Sequence, residues 1–564
     1  MKTSIVGLIP CLLILNLSAP AQEHTRQIKV KKGQTYLNFP VSNASGLTKA
    51  RIKYAGKVLD EFTIQLASGK PDFWTFFNVA PYQGKTITVE VEPDTTDPKG
   101  LAMVYADTGF PGQDSLYAET YRPQVHFSSR RGWNNDPNGL IHYRGEYHLF
   151  YQHNPYGWSW GNMHWGHAVS EDLMHWRELP EALYPPSHQD MAFSGSAVVD
   201  VNNTAGFRKN GVDPLIAVYT STGRGECLAL SYDNGRTFQN YEGNPVVKHQ
   251  GRDPKVFWYA PGSHWVMVLW DEGDTKNLNL GQQAIVYQHL IYTSPDLKRW
   301  TRQSGIAGFF ECPELFELPV EGAPGVSKWV MYDATGRYLV GDFDGKKFSV
   351  AQSFKTYDYG GAFYASQTYN HLPENDKRRV QVGWGRGINL AGMAFNQCMT
   401  FPTELRLRKT ADGLRLCPTP VREISLLHKK THTFENKVIA GKTTFTPPVS
   451  GDALHLVAEF EKGDAPEFGL HINGYALTYS HLLGKFNQTD YVNPDSDHFK
   501  IEVIVDKAIL EVFVNDGELY YVVPLNSVKA EKKIEVFAKG GPERKTILRK
   551  MDIHELGSIW SKQF

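Results

Sequence analysis

Four related turns divide the middle of the chain. Ser170-Glu-Asp-Leu-Met-His-Trp176 is echoed by Ser294-Pro-Asp-Leu-Lys-Arg-Trp300. Ser231-Tyr-Asp-Asn-Gly-Arg-Thr-Phe238 and Asp342-Phe-Asp-Gly-Lys-Lys-Phe348 are looser copies. Each follows an apolar, strand-like run and sets an Asp ahead of an aromatic residue. The copies begin 61, 63 and 48 residues apart, a spacing that suits one four-stranded blade per repeat. Residues 123–425 are therefore expected to form a propeller of about five blades. A sandwich with long loops is the rival, and it explains the repeat less well.

The flanks read differently. Eleven of the 13 tryptophans fall between Trp133 and Trp384, which concentrates aromatic surface in the central region. Before it, residues 23–108 alternate in short runs such as Gln27-Ile-Lys-Val30 and Thr86-Ile-Thr-Val-Glu-Val91. They predict a small antiparallel sandwich. Residues 109–122, with Pro111 and Gly112, read as a linker. After the propeller, alternation returns in residues 430–564, as in Phe499-Lys-Ile-Glu-Val-Ile-Val505. Asn515-Asp516-Gly517 supplies a tight turn there, and a second sandwich is expected. The whole is an all-β chain.

Composition narrows the function. A formal net charge of −1 over 564 residues gives no basic field for nucleic acid or anionic lipid. Residues 1–22 carry Lys2, an apolar run from Ile5 to Leu17 and the small residues Ala19-Pro-Ala21. That is the pattern of a cleaved signal peptide, and the run is too short to span a membrane. Export to the periplasm or the medium is expected, without membrane insertion. Four cysteines remain after cleavage, with no CxxC, so buried free thiols are the default and a single pair is the alternative. His428 and His432 enclose two lysines, a cationic setting that disfavours zinc. No metal or cofactor is expected.

Three acids in the propeller stand in unusual settings. Trp133-Asn-Asn-Asp-Pro-Asn-Gly139 places Asp136 among an indole and three carboxamides, groups that suit a sugar, and its Asp-Pro and Asn-Gly pairs read as turns. Arg252-Asp-Pro-Lys255 sets Asp253 between two cations. Phe309-Phe-Glu-Cys312 sets Glu311 in an apolar run, which should raise its pKa and suit it to donate a proton. Donors around Asp136 should favour its ionised form. The acids lie 117 and 58 residues apart, roughly two blades and one blade around a ring whose innermost strands converge. Two carboxylates flanking a glycosidic bond are the usual machinery of glycoside hydrolysis.

Together, Trp133–Gly139, Arg252-Asp-Pro254 and Glu311-Cys312 resemble the three signature motifs of glycoside hydrolase family 32, the family of invertases, levanases and inulinases. Tyr151-Gln-His-Asn-Pro155, Trp160–His167, Phe193-Ser-Gly-Ser196 and Glu511–Gly517 agree. The likeness covers residues 123–560 and leaves the N-terminal sandwich outside, so that sandwich is expected to be dispensable for bond cleavage. The resemblance implies that Asp136 is the nucleophile, Glu311 the general acid/base and Asp253 the transition-state stabiliser. It implies that Trp133, Asn135, Gln152, Trp160, Phe193, Ser194, Arg252 and Trp384 bind the terminal fructose, with no cofactor. The substrate would be a fructan of levan or inulin type, or sucrose, cleaved with retention.

Two departures bear on the pocket rim. Many relatives carry an acid where this chain has Ala362, and the segment Lys328–Gly341 is shorter than in many exo-acting members. Exo attack is nevertheless expected, because Trp158, Trp160, Trp165 and Phe193 would wall one end of a narrow channel. Endo attack, fructosyl transfer and a catalytically silent glycan-binding propeller are the alternatives.

Overall fold

The computed structural model describes residues 24–92, 98–248, 251–272, 287–490, 496–525 and 532–560. The expected leader lies outside them. Among the described residues no helix is long and apolar enough to cross a membrane.

The first unit pairs two antiparallel sheets. One runs in the order Thr25–Lys29, Thr86–Val91, Thr48–Tyr54, Lys57–Ile64, and the other Phe73–Asn78, Tyr36–Val41, Tyr105–Asp107. Leu37, Phe39, Ile52, Phe62, Ile87 and Val89 are buried between them, as the alternation requires. The stretch read as a linker is anchored where it meets the propeller. Tyr117 stacks on Trp560 at 4.2 Å, and the buried Arg122 guanidinium lies 3.3 Å from the Phe395 ring centroid.

Five sheets follow, one per blade. Their innermost strands are Gly132–Tyr143, Ala192–Val199, Arg252–Tyr259, Glu314–Pro319 and Phe363–Thr368. The four repeated turns each join the third strand of a blade to its fourth. Their Asp has a mechanical job. Asp172 accepts the backbone N–H of Met174 and His175 at 3.0 and 2.8 Å. Asp296 does the same for Lys298 and Arg299 at 3.1 and 2.9 Å. Such side-chain acceptors fix a turn without help from the sheet. The ring is tied where Phe395–Asn396, after the second strand of the fifth blade, pairs in parallel with Gly132 and Trp133 of the first.

The last unit packs two six-stranded sheets. In His498–Val505 the inward residues Phe499, Ile501, Val503 and Val505 are fully buried. Asn515, Asp516 and Gly517 adopt φ of +47°, +58° and +87° within the four-residue loop that joins the paired Val514 and Leu519, so the chain reverses there as expected. This sandwich meets the propeller through a buried polar joint. His126 lies 2.9 Å from Asp506 and 3.1 Å from Glu511, and the Tyr520 hydroxyl donates to Glu511 at 2.7 Å. Burial opposes a charge on His126, but the two carboxylates outweigh it and raise its pKa to about 9.

Candidate active site

The innermost strands all start at the same mouth of the channel, and there they are irregular. The turn expected at Asp136-Pro137 is instead a kink within one continuous strand, Gly132–Tyr143. Its register shifts between Asn134 and Pro137 and again between Asn138 and Ile141. A bulge tolerates the proline, because the ladder is already interrupted there. Matching shifts fall between Ala192 and Gly195, Arg252 and Lys255, and Tyr364 and Gln367. In the fourth blade Cys312 sits just before the strand at φ +50°, and Asp253 and Ala365 have φ of +65° and +50°. Bulges re-aim side chains, and left-handed non-glycine residues persist only where the surroundings enforce them. These irregularities turn Asp136, Ser194, Asp253, Glu311 and Tyr364 toward one another.

The contacts are short. Asp136 accepts the Ser194 hydroxyl at 2.6 Å and the Asn135 amide at 3.0 Å, and the Trp133 indole N–H holds Asn135 at 2.9 Å. The Cys312 thiol lies 3.8 Å from Asp136 and 3.6 Å from Asp253, and its backbone N–H donates to Asp253 at 3.2 Å. Glu311 accepts the Tyr364 hydroxyl at 2.8 Å and pairs through its other oxygen with Arg252. Arg252 in turn lies 4.1 Å from the Trp270 ring centroid. Beneath this cluster the channel is crossed by hydrogen bonds between blades. Gln367 donates to the Gly195 carbonyl at 2.8 Å, and Ser196 to the Pro254 carbonyl at 2.7 Å.

Asp253 and Glu311 thus share the Arg252 guanidinium, while Asp136 sits beside them among the neutral donors Ser194 and Asn135. Burial, then Glu311 and Asp136, push Asp253 up to about 8, against the pull of Arg252. Burial also holds Asp136 above the usual carboxylate range. Its donors Ser194 and Asn135 act in the expected direction, yet burial outweighs them.

The sequence models for the glycosyl hydrolases family 32 N-terminal domain and C terminal match residues 126–420 and 423–555. The chain belongs to glycoside hydrolase family 32. It is 36% identical to a levanase of Bacillus subtilis over 518 residues, covering 82% of this chain and 74% of the levanase. It is 31% identical to the extracellular exo-inulinase of Aspergillus niger, covering 79% and 96%. Among solved structures, the exo-inulinase of Aspergillus awamori superposes with a TM-score of 0.68 at 30% identity, covering 79% of this chain and all of that one. A β-fructofuranosidase of Schwanniomyces occidentalis complexed with fructosyl-erythritol gives 0.68 at 26% identity, covering 79% and 99%. The N-terminal sandwich lies outside both family matches.

The expected residues can now be placed, and two expectations fail, the apolar setting of Glu311 and the wall role of Trp165. Glu311 is not buried in an apolar run: its side chain is 20% exposed and faces Arg252 and Tyr364. Phe309 turns away to stack on His289 at 4.6 Å. Gln152 is buried and donates to the Ala192 carbonyl at 3.0 Å, so it supports the Phe193 strand. Trp165 is fully buried and walls nothing. Trp158 is half-buried, its indole N–H donating to the Phe395 carbonyl at 3.1 Å. Trp160 is 53% exposed and meets Phe193 edge-on at 6.0 Å. Trp384 meets Trp133 and Tyr364, each at 5.9 Å.

Sequence reasoning missed Tyr364, Thr220 and Glu226. Thr220 takes the Asp253 N–H at 3.0 Å and donates to Glu226 at 2.9 Å. Burial raises Glu226 to about 8. No motif marks these three residues, because each matters only through a neighbour on another strand. Cys227, Cys312, Cys398 and Cys417 are all buried free thiols.

Two other features lie apart from the acids. A hollow of about 640 Å³, lined by Trp258, Trp265, Trp329 and Phe343, opens at the opposite mouth. In the last sandwich His428, His455 and His554 bring ring nitrogens within 4.8 Å of one another. His428 and His554 stack in parallel at 3.8 Å. Lone pairs in parallel ring planes do not converge on one ion, as tetrahedral ligation requires.

Proposed function

We propose that this chain is a secreted β-fructofuranosidase that removes terminal fructose from fructans or sucrose with retention of configuration. The convergence of Asp136, Asp253 and Glu311 at one channel mouth carries the proposal. Asp136 attacks the anomeric carbon while Glu311 protonates the departing glycosidic oxygen. The C–O bond to the leaving sugar breaks as the bond to Asp136 forms. Glu311 then takes a proton from water, whose oxygen displaces Asp136 and releases fructose. Asp253 accepts sugar hydroxyls, bonds that strengthen as positive charge develops at the anomeric carbon. Retention calls for the Asp136 and Glu311 carboxyls to stand about 5–5.5 Å apart. Glu311 is near enough for its charge to act on Asp136, and that nearness supports a direct attack.

Exo action is supported by the bridged channel floor and by the Trp160–Phe193 wall, which together favour a blind pocket. The names of the exo-inulinase relatives agree, and the name of the extracellular one supports export. Digestion of long levan and long inulin tests the mode. Fructose alone at low conversion is the expected product from at least one of them. A ladder of oligosaccharides preceding fructose would establish an endo-acting enzyme, and longer products would establish a transferase.

A further inference from the structure

One strand of the N-terminal sandwich, Lys57–Ile64, lies at the edge of its sheet, where unpaired backbone groups need a partner. The partner is the propeller loop that carries Trp160. The Asn162 side-chain amide accepts the Thr63 N–H and donates to the Thr63 carbonyl, both at 2.8 Å, much as a neighbouring strand would. Asp60 is buried on the same strand. It accepts the Tyr156 hydroxyl at 2.6 Å and lies 3.3 Å from His164 Nε2. The Tyr156 ring, contributed by the propeller, stacks on Phe62 at 3.5 Å inside the N-terminal core. Glu61 reaches the other way, to His188 at 3.3 Å, on the segment leading to Phe193.

These ties bracket the pocket wall. Asn154 accepts the Tyr156 N–H at 3.1 Å and the Asn162 amide at 2.9 Å, and donates to the Ser159 carbonyl at 2.8 Å. Trp160 is thus fixed from both sides of the chain while its own face stays exposed. His164 is followed by Trp165, whose indole donates to the Phe193 carbonyl at 3.0 Å. Burial opposes a charge on His164, but Asp60 outweighs it and raises the pKa, and both side chains of this joint are fully buried. Such a joint holds geometry firmly and tolerates the loss of one partner badly.

We infer that the N-terminal sandwich is a working part of the sugar pocket, with Asp60 as a positioning residue that sets the Trp160 wall through Tyr156 and His164. The inference rests on the β-fructosidase reading, and it opposes the expectation that this sandwich is dispensable. The test uses the full chain with Asp60→Asn, Tyr156→Phe, Trp160→Ala and the double variant Asp60→Asn/Trp160→Ala, assayed on sucrose and short fructo-oligosaccharides. Asp60→Asn should raise KM about tenfold with kcat within about twofold, the pattern of lost binding that is equal in ground and transition states. Tyr156→Phe keeps the stacked ring and should raise KM about threefold. The double variant should be no worse than Trp160→Ala, because residues acting through one another are not additive.

A folded Asp60→Asn or Tyr156→Phe with native KM overturns the inference, as does a double variant in which the two effects multiply. If Asp60→Asn does not fold, Tyr156→Phe alone decides. A native enzyme that cleaves neither substrate would sink the functional reading instead. In that event, calorimetric binding of the same oligosaccharides to the same variants still decides the positioning claim.

Discussion

The two sandwiches flank one propeller but touch it in different places. The C-terminal sandwich docks through His126, Asp506, Glu511 and Tyr520, a sealed polar joint with no member in the acid cluster. The N-terminal sandwich docks through Asp60, Glu61 and Thr63 on the loops that carry Trp160 and Phe193. The first falls within the family matches and the second outside them. The difference teaches that family membership marks the shared scaffold and chemistry, whereas an added domain can bear on the wall that selects the sugar. Substitutions in the one joint should register as stability, and in the other as KM.

The largest effects should come from neither sandwich. Asp136→Asn should lower kcat by at least about 10³-fold, and Glu311→Gln by about 10²–10⁴-fold, with thermal unfolding unchanged. Any variant in the Asp60 joint that lost kcat on that scale would break the comparison. His126→Gln comes next. It leaves two buried carboxylates without a counter-charge and should cost about 3–5 kcal/mol of stability. In denaturant titration that loss should appear with kcat and KM of the folded enzyme retained; a raised KM would mean that both joints reach the pocket.

pH sharpens the same contrast. His126 has a pKa of about 9 in the folded protein against about 6.5 unfolded. Its contribution is therefore fully present below about pH 6.5 and is lost as pH rises through about 9, on the order of 3 kcal/mol in all. Melting curves from pH 6 to pH 10 should fall across that window in the native protein and not in His126→Gln. The smallest effect is expected inside the C-terminal sandwich itself. Glu502→Gln weakens the contact with His455 at 2.9 Å and should cost about 1 kcal/mol with no change in turnover.

Much of this molecule is legible in its chain alone. Alternation marks both sandwiches, because the period of a strand is written locally in which residues are apolar. The Asp-led turns mark the blades, because each is stabilised by bonds within a few residues of itself. The three motifs mark Asp136, Asp253 and Glu311 and suggest what they do. What the sequence misread depends on distant partners. Asp136-Pro137 looks like a turn because nothing local announces a bulge, which arises from pairing with Tyr151 on the next strand. Glu311 looks apolar from its neighbours in the chain, yet Arg252 and Tyr364, 59 and 53 residues away, decide its surroundings. Trp165 and Trp160 are equivalent by composition, and only packing buries one and exposes the other. The reach of Asp60 to His164 spans 104 residues and two domains. Local periodicity determines which strands form, while closure of the ring and the docking of its flanks determine which side chains meet.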